Sequence, residues 1–202
     1  MSLPLLGVLV LLVLMPMSVL SASDPDTLVS VPRTGGAELD QALILNPDNP
    51  GALTAKANNL RLLGRNEEAL YEYSRALDLN PNHPGALVGR GRVNFVLGRY
   101  QESLVDLTSA VQLKPNNSHA WTGIGNALVR LFRPLEALEA YNHTLALDPD
   151  DPYVWSGIGE ALFSLSRYQE AMDAFNKSLE QNPDNAYVLA KQDEIRGVIH
   201  DH

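Results

Sequence analysis

The sequence predicts an all-α solenoid of antiparallel helix pairs, and three observations carry that prediction. Pro47, Pro81, Pro115, Pro149 and Pro183 recur every 34 residues, each closing a phrase of one type: LILNP, LDLNP, VQLKP, LALDP and LEQNP. Between them, small and large apolar residues recur in fixed columns. Hydrophobic residues make up 45% of the 202, enough for a folded core, while 6% aromatic content is low for a sandwich or barrel built on aromatic strand pairs. A period of this length is that of a two-helix unit, not of strands.

The elements are taken in chain order. Residues 1–23 carry no charged side chain from Leu3 to Leu20, break at Pro16 and end in the small residues Ser18, Ser21, Ala22 and Ser23. This is the composition of an export signal, its apolar block being shorter than the ~20 residues that span a bilayer. No Lys or Arg precedes the block, so a cleaved signal peptide and a retained signal-anchor both stay open; either places the chain after Asp24 outside the cytoplasm. Residues 24–35, with Pro25, Pro32 and Gly35, form a linker. Residues 36–49 read as a half-repeat, a lone second helix with Ala37, Leu39, Ala42, Leu45 and Pro47 in the pattern.

Four full units occupy 50–83, 84–117, 118–151 and 152–185. Their fourth position holds Leu53, Leu87, Trp121 and Trp155, and their twenty-fourth Tyr73, Leu107, Tyr141 and Phe175. Small residues hold the eighth (Ala57, Gly91, Gly125, Gly159), the twentieth (Ala69, Ser103, Ala137, Ala171) and the twenty-seventh (Ala76, Ala110, Thr144, Ser178). Small side chains let two helices approach, and the large ones fill the space between successive pairs. Both tryptophans are therefore expected to be buried. One unit cannot bury such a face alone; a stack can. Arg65, Arg99, Arg133 and Arg167 mark the turn within each unit, and Glu68, Glu102, Glu136 and Glu170 stand three residues later, in the first helical turn, where a carboxylate meets the positive end of the dipole. Each proline ends the second helix, because the residue before a proline avoids helical geometry. Residues 186–202 begin a fifth first helix, but Gln192 and Asp193 stand where apolar and small residues are wanted, which reads as a solubilising cap.

These columns resemble the tetratricopeptide repeat family over residues 50–185. The resemblance implies a right-handed superhelix with a concave groove lined by first helices, used to bind a peptide or partner helix without catalysis or cofactor. The family prefers apolar residues at position 7, where Lys56 and Arg90 sit, and at position 11, where Asn94 sits. Looser packing of those repeats, or use of these polar groups in the groove, is the expectation there.

Other chemistries find little support. Fifteen Lys and Arg against 24 Asp and Glu give a net charge of −9, which repels nucleic acid. Without cysteine there is no disulfide, thiolate metal site or cysteine nucleophile. The pairs Gly123/Gly125 and Gly157/Gly159 lie inside first helices and lack the third glycine and preceding strand of a dinucleotide site, so helix packing explains them. His83, His119, His143, His200 and His202 show no metal-ligand spacing and read as solvated surface. Asp150 and Asp151 read as capping residues. No nucleophile elbow or P-loop is present, and with the repeats filling the chain no separate catalytic domain is expected. Of three sequons, Asn116 is the candidate glycosylation site because it lies in an inter-repeat loop, whereas Asn142 and Asn176 fall within second helices.

Carried onto this sequence, the family's groove positions hold Asn58, Arg61, Arg92, Phe95, Asn126, Arg130, Tyr153, Glu160 and Phe163, with Tyr187 and Lys191 from the cap. The asparagines suit the backbone of an extended peptide, the three arginines suit acidic groups, and Phe95 and Phe163 suit apolar anchoring. The expected partner is a protein or peptide, acidic in charge. The co-chaperone subfamily that clamps a terminal carboxylate is poorly matched: Asn58 fits, but Thr54, Gly89, His119 and Gly123 replace its Lys, Asn, Lys and Arg. Competing roles are a structural component that self-associates in an envelope or secretion assembly, and an accessory substrate-binding subunit of a separate enzyme. Membrane contact is expected only through an uncleaved leader.

Overall fold

The computed structural model describes residues 43–149, 151 and 153–200. The leader, the linker and most of the half-repeat lie outside the described residues. Among those described there is no strand, and nine complete helices succeed one another: α1 Pro50–Leu62, α2 Asn66–Leu79, α3 Pro84–Val96, α4 Tyr100–Leu113, α5 Ser118–Arg130, α6 Pro134–Leu147, α7 Val154–Ser164, α8 Tyr168–Gln181 and α9 Ala186–His200. They stack as four antiparallel pairs and a cap, each helix packing on the next in chain order. None is long and apolar enough to cross a membrane.

Local chemistry sets the boundaries. One residue per unit caps the following first helix: the amides of Ala52, Ala86 and Ala120 donate to side chains of Asn49, His83 and Asn117, each at 3.1 Å. Asn185 accepts from Val188 in the same column, and buried Asp151 accepts from Tyr153, one residue nearer. His83 is thus a half-buried cap and not the solvated residue expected, because Nδ1 has the reach of an asparagine oxygen. First helices end in a left-handed residue, Gly64 (φ 75°) and Gly98 (φ 76°), and the next amide reaches back to close the turn, Arg65 N to Leu60 O at 2.9 Å and Arg99 N to Asn94 O at 2.8 Å. Second helices end in an extended residue before each proline, such as Asn80 (φ −140°, ψ 90°).

Tyr73, Leu107, Tyr141 and Phe175, at most 1% exposed, form the spine of the core. The helical glycines serve this spine. A Cβ on Gly125 or Gly157 would strike the Tyr141 ring or hydroxyl, one on Gly89 the Tyr73 ring, and one on Gly159 the Phe175 ring.

Several expectations need correction. Position 7 neither loosens packing nor faces the groove, because it finds a polar partner at position 23 of its own unit. Lys56 Nζ meets Glu72 at 2.6 Å, and Arg90 grips Asp106 with two bonds of 2.9 and 2.7 Å, joined by Asn94 at 3.3 Å. In the third and fourth units the same two positions are Ile124 with Ala140 and Ile158 with Ala174, all in the core. Gln192 of the cap is 3% exposed and donates to Asn176 at 2.8 Å, so it is a buried partner; only Asp193 faces solvent, beside Arg196. The tryptophans are half-buried. Leu53 and Leu87 at position 4 are buried, but in the third and fourth units the larger indole extends past the core over position 26: Trp121 stacks on His143 at 4.3 Å and Trp155 lies under Lys177 at 4.0 Å. Leu45 is 77% exposed, and Leu43 packs on the core instead. The turn arginines pair with their glutamates in three units, but Arg99 reaches Glu67 of the preceding unit.

Candidate functional site

Successive first helices touch, α1 with α3, α3 with α5 and α5 with α7, so they line the tighter, inner side of the stack. Two cavities adjoin there. One of about 450 Å³ is lined by Arg92, Phe95, His119, Asn126 and Tyr153 over a floor of Leu107 and Gly123. The other, of about 360 Å³, is lined by Phe95, Asn126, Arg130, Glu160 and Tyr187 with Tyr100 and Tyr141. Phe95 and Asn126 border both, which makes one continuous groove. Asn58 and Arg61 lie one repeat toward the amino end. Phe163 and Lys191 lie toward the carboxyl end, with Lys191 Nζ 4.8 Å over the Phe163 ring.

The asparagines differ from expectation. Tyr73 donates its hydroxyl to Asn58 Oδ1 at 2.6 Å, and Tyr141 donates to Asn126 Oδ1 at 2.7 Å. Each amide carbonyl is therefore taken by its own repeat, which leaves the Nδ2 donors for a ligand. The cause is the inward tilt of the position-24 tyrosine beneath the glycines, a contact between residues 15 apart in sequence.

Charge in the groove is arranged locally. Burial raises the Tyr73 hydroxyl above its ordinary pKa, opposed by the nearby Arg61 and Arg92 charges. Burial also raises Tyr141, and burial followed by the charge of Glu160 raises Tyr187. All three tyrosines stay protonated donors, suited to holding a ligand and unsuited to abstracting protons. Desolvation in the groove, and then the like charge of Arg61, lowers Arg92. Arg130 donates from Nε and Nη2 to the Tyr100 hydroxyl at 3.2 and 3.1 Å, and the Tyr100 ring tilts against Phe95 at 5.4 Å. Phe163 and Tyr168 repeat that pair at 5.7 Å.

Sequence reasoning missed Tyr100 in the groove, its counterpart Tyr168 beside Phe163, and the orienting tyrosines Tyr73 and Tyr141. A signal for the first pair was present: RYQE occurs at 99–102 and again at 167–170. Asn116 stands exposed in its loop, whereas Thr144 and Ser178, third residues of the other two sequons, are buried. Among the described residues no three His, Cys, Asp or Glu side chains gather at metal-binding distance.

Residues 57–98 match a family model described as TPR repeat, and residues 122–186 match one described as tetratricopeptide repeat. No curated protein matches the chain. Among solved structures, pilF of Pseudomonas aeruginosa is 23% identical with a TM-score of 0.70, covering 82% of this chain and 75% of its own. YrrB, described as a TPR protein with an unusual peptide-binding site, is 24% identical with a TM-score of 0.67, covering 81% and 84%. MamA from Desulfovibrio magneticus RS-1 is 21% identical with a TM-score of 0.68, covering 77% and 88%. At these identities the likeness is one of fold.

Proposed function

Because the chain belongs to the tetratricopeptide repeat family, we propose that it is a non-catalytic protein-interaction scaffold that holds an extended peptide or a partner helix along its first helices. The observation that carries this reading is the continuous groove across α3, α5 and α7, in which Phe95 and Tyr153 offer apolar surface and the amide of Asn126 and the guanidiniums of Arg92 and Arg130 offer donors. Aromatic and arginine side chains are the residues enriched at binding hot spots. YrrB, similar in fold, is described as having a peptide-binding site. The decisive experiment selects random peptides displayed on phage against the full chain, then measures the winners on the double variant Phe95→Ala, Tyr153→Ala. Loss of binding with an unchanged helical circular dichroism signal supports the groove; unchanged affinity places the ligand elsewhere.

The same proposal puts the repeats outside the cytoplasm, on the strength of the uncharged apolar run from Leu3 to Leu20. Protease should reach them from the extracytoplasmic side, and mass spectrometry of the amino terminus distinguishes removal of the leader from anchoring by it. Full protection in the cytoplasmic fraction sinks this placement.

A further inference from the structure

Three carboxylates are buried among the described residues, and two of them hold a cation. Glu72, 5% exposed, meets Lys56 at 2.6 Å and Arg75 at 3.2 Å, and Asp106, 4% exposed, meets Arg90 at 2.7 Å. Asp151 is also 4% exposed, yet among the described residues no Lys, Arg or His nitrogen lies within 4.0 Å of its carboxylate. Oδ1 accepts from the Tyr153 amide at 2.9 Å. Oδ2 meets only the Thr122 hydroxyl, at 3.3 Å, and the single proton of that hydroxyl has a nearer acceptor in the Ser118 carbonyl at 3.1 Å. The dipole of α7 supplies about half a charge. Asp151 thus lacks the whole charge that Glu72 and Asp106 are given, which a buried carboxylate needs.

Capping does not call for the charge. The same column holds Asn49, His83, Asn117 and Asn185 in the other units, each accepting from an amide three residues on, whereas Asp151 accepts from one only two residues on. Its carboxylate instead lines the cavity of about 450 Å³, with Phe95 and Tyr153 as aromatic walls and Arg92 and Asn126 as donors. Arg92 shares the cavity with Asp151 without forming an ion pair with it, so a ligand that satisfies both brings a cation and, beside it, an acceptor. A peptide carries both, an ammonium group and backbone carbonyls, and aromatic faces favour the cation further.

Resting on the peptide-binding reading above, we propose that Asp151 receives a primary ammonium group of the bound peptide in this cavity, while Arg92 and Nδ2 of Asn126 donate to the peptide's carbonyls. The ammonium is that of the amino terminus or of a lysine side chain. The Tyr141 hydroxyl bond occupies the Asn126 oxygen and leaves the amide's donors for the peptide.

Two displayed libraries of random peptides separate the sources, one with the random segment at a free amino end and one with it embedded between fixed flanks. Selection on the full chain should yield peptides from the first whose binding is lost on acetylation of the amino end, or enrich Lys in the second. Synthetic winners should bind about tenfold or more weakly to Asp151→Asn, and the wild-type affinity should fall with salt. Without ligand, Asp151→Asn should melt at or above the wild-type temperature, because the amide keeps an acceptor for Tyr153, gains a donor for Thr122 and removes a buried charge. Winners indifferent to acetylation and without lysine bias, or with full affinity for Asp151→Asn, overturn the ammonium site, and if they still depend on Phe95 and Tyr153 the peptide groove stands. A fall of several degrees in the ligand-free melting temperature means that the carboxylate serves the fold, and also overturns the site. Failure of both libraries to yield any binder removes the peptide reading together with the site.

Discussion

Phe132 occupies the turn position held by Gly64 and Gly98 in the earlier units and by Ser166 in the last. Its φ of 58° is left-handed, and its ring is 91% exposed. A bulky residue there carries backbone strain of about 1 kcal/mol with no burial in return, part of which glycine would return as chain entropy in the unfolded state. Phe132→Gly should therefore raise stability by about 0.5–1 kcal/mol, read as a higher denaturant midpoint at unchanged slope. His83 makes a different local prediction. Its Nδ1 must be unprotonated to accept from Ala86, and desolvation lowers its pKa in the folded state. The unfolded chain then binds a proton more readily than the folded one, so stability is level above about pH 6.5 and falls as the pH drops from there through the lowered native value. His83→Asn, which matches the caps at Asn49 and Asn117, should remove this part of the acid slope in pH-dependent denaturation while leaving stability at pH 8 within about 0.5 kcal/mol.

At the scale of the helix pair, positions 7 and 23 are one design solved in two ways. Asp106 is 4% exposed and held by Arg90, while Ile158 and Ala174 meet at the same two places in the fourth unit. Arg90→Ile alone strands a buried carboxylate and should cost about 3–5 kcal/mol by denaturant titration. Arg90→Ile with Asp106→Ala should restore most of that, because it installs the pair the later units use. A double variant as unstable as the single one would mean that the ion pair has a role the apolar pair cannot take. The position-4 column shows how burial sets magnitude. Trp121→Ala should cost about 1–2 kcal/mol, because the indole is half solvated over His143, whereas Tyr141→Ala should cost about 3–5 kcal/mol, because that ring is 1% exposed beneath two glycines.

Across the whole molecule, the core divides into two clusters. Leu53 to Ala110 form the first, Leu104 to Ile195 the second, and α4 contributes to both, with Ala110 in one and Leu107 and Val111 in the other. Stability in such a stack is close to a sum over units and their neighbours, so units with a neighbour on one side open first. Native-state hydrogen exchange should show α9 exchanging earliest and α5 and α6 latest. Uniform protection along the chain would point to a single cooperative unit. The groove lies over the seam between the clusters, since Phe95 packs on the second cluster while its neighbour Val93 belongs to the first. A ligand bound there should slow exchange in α3 and α5 together.

The sequence by itself determined the helices, their ends and their order of stacking. Those arise from signals read within a few residues: the proline after each second helix, the glutamate in its first turn, and the small and large columns of one 34-residue unit. The positions of most groove residues were also legible, because helical register fixes them once the repeat is aligned. Only the tertiary structure decided which polar groups satisfy one another. Lys56 with Glu72, Arg90 with Asp106, Gln192 with Asn176 and Tyr141 with Asn126 join residues 15 or 16 apart on facing helices, where the distance is set by how closely two backbones approach. It also decided that Trp121 overhangs an edge, since that outcome depends on what fills the space beside a residue and not on its place in the period.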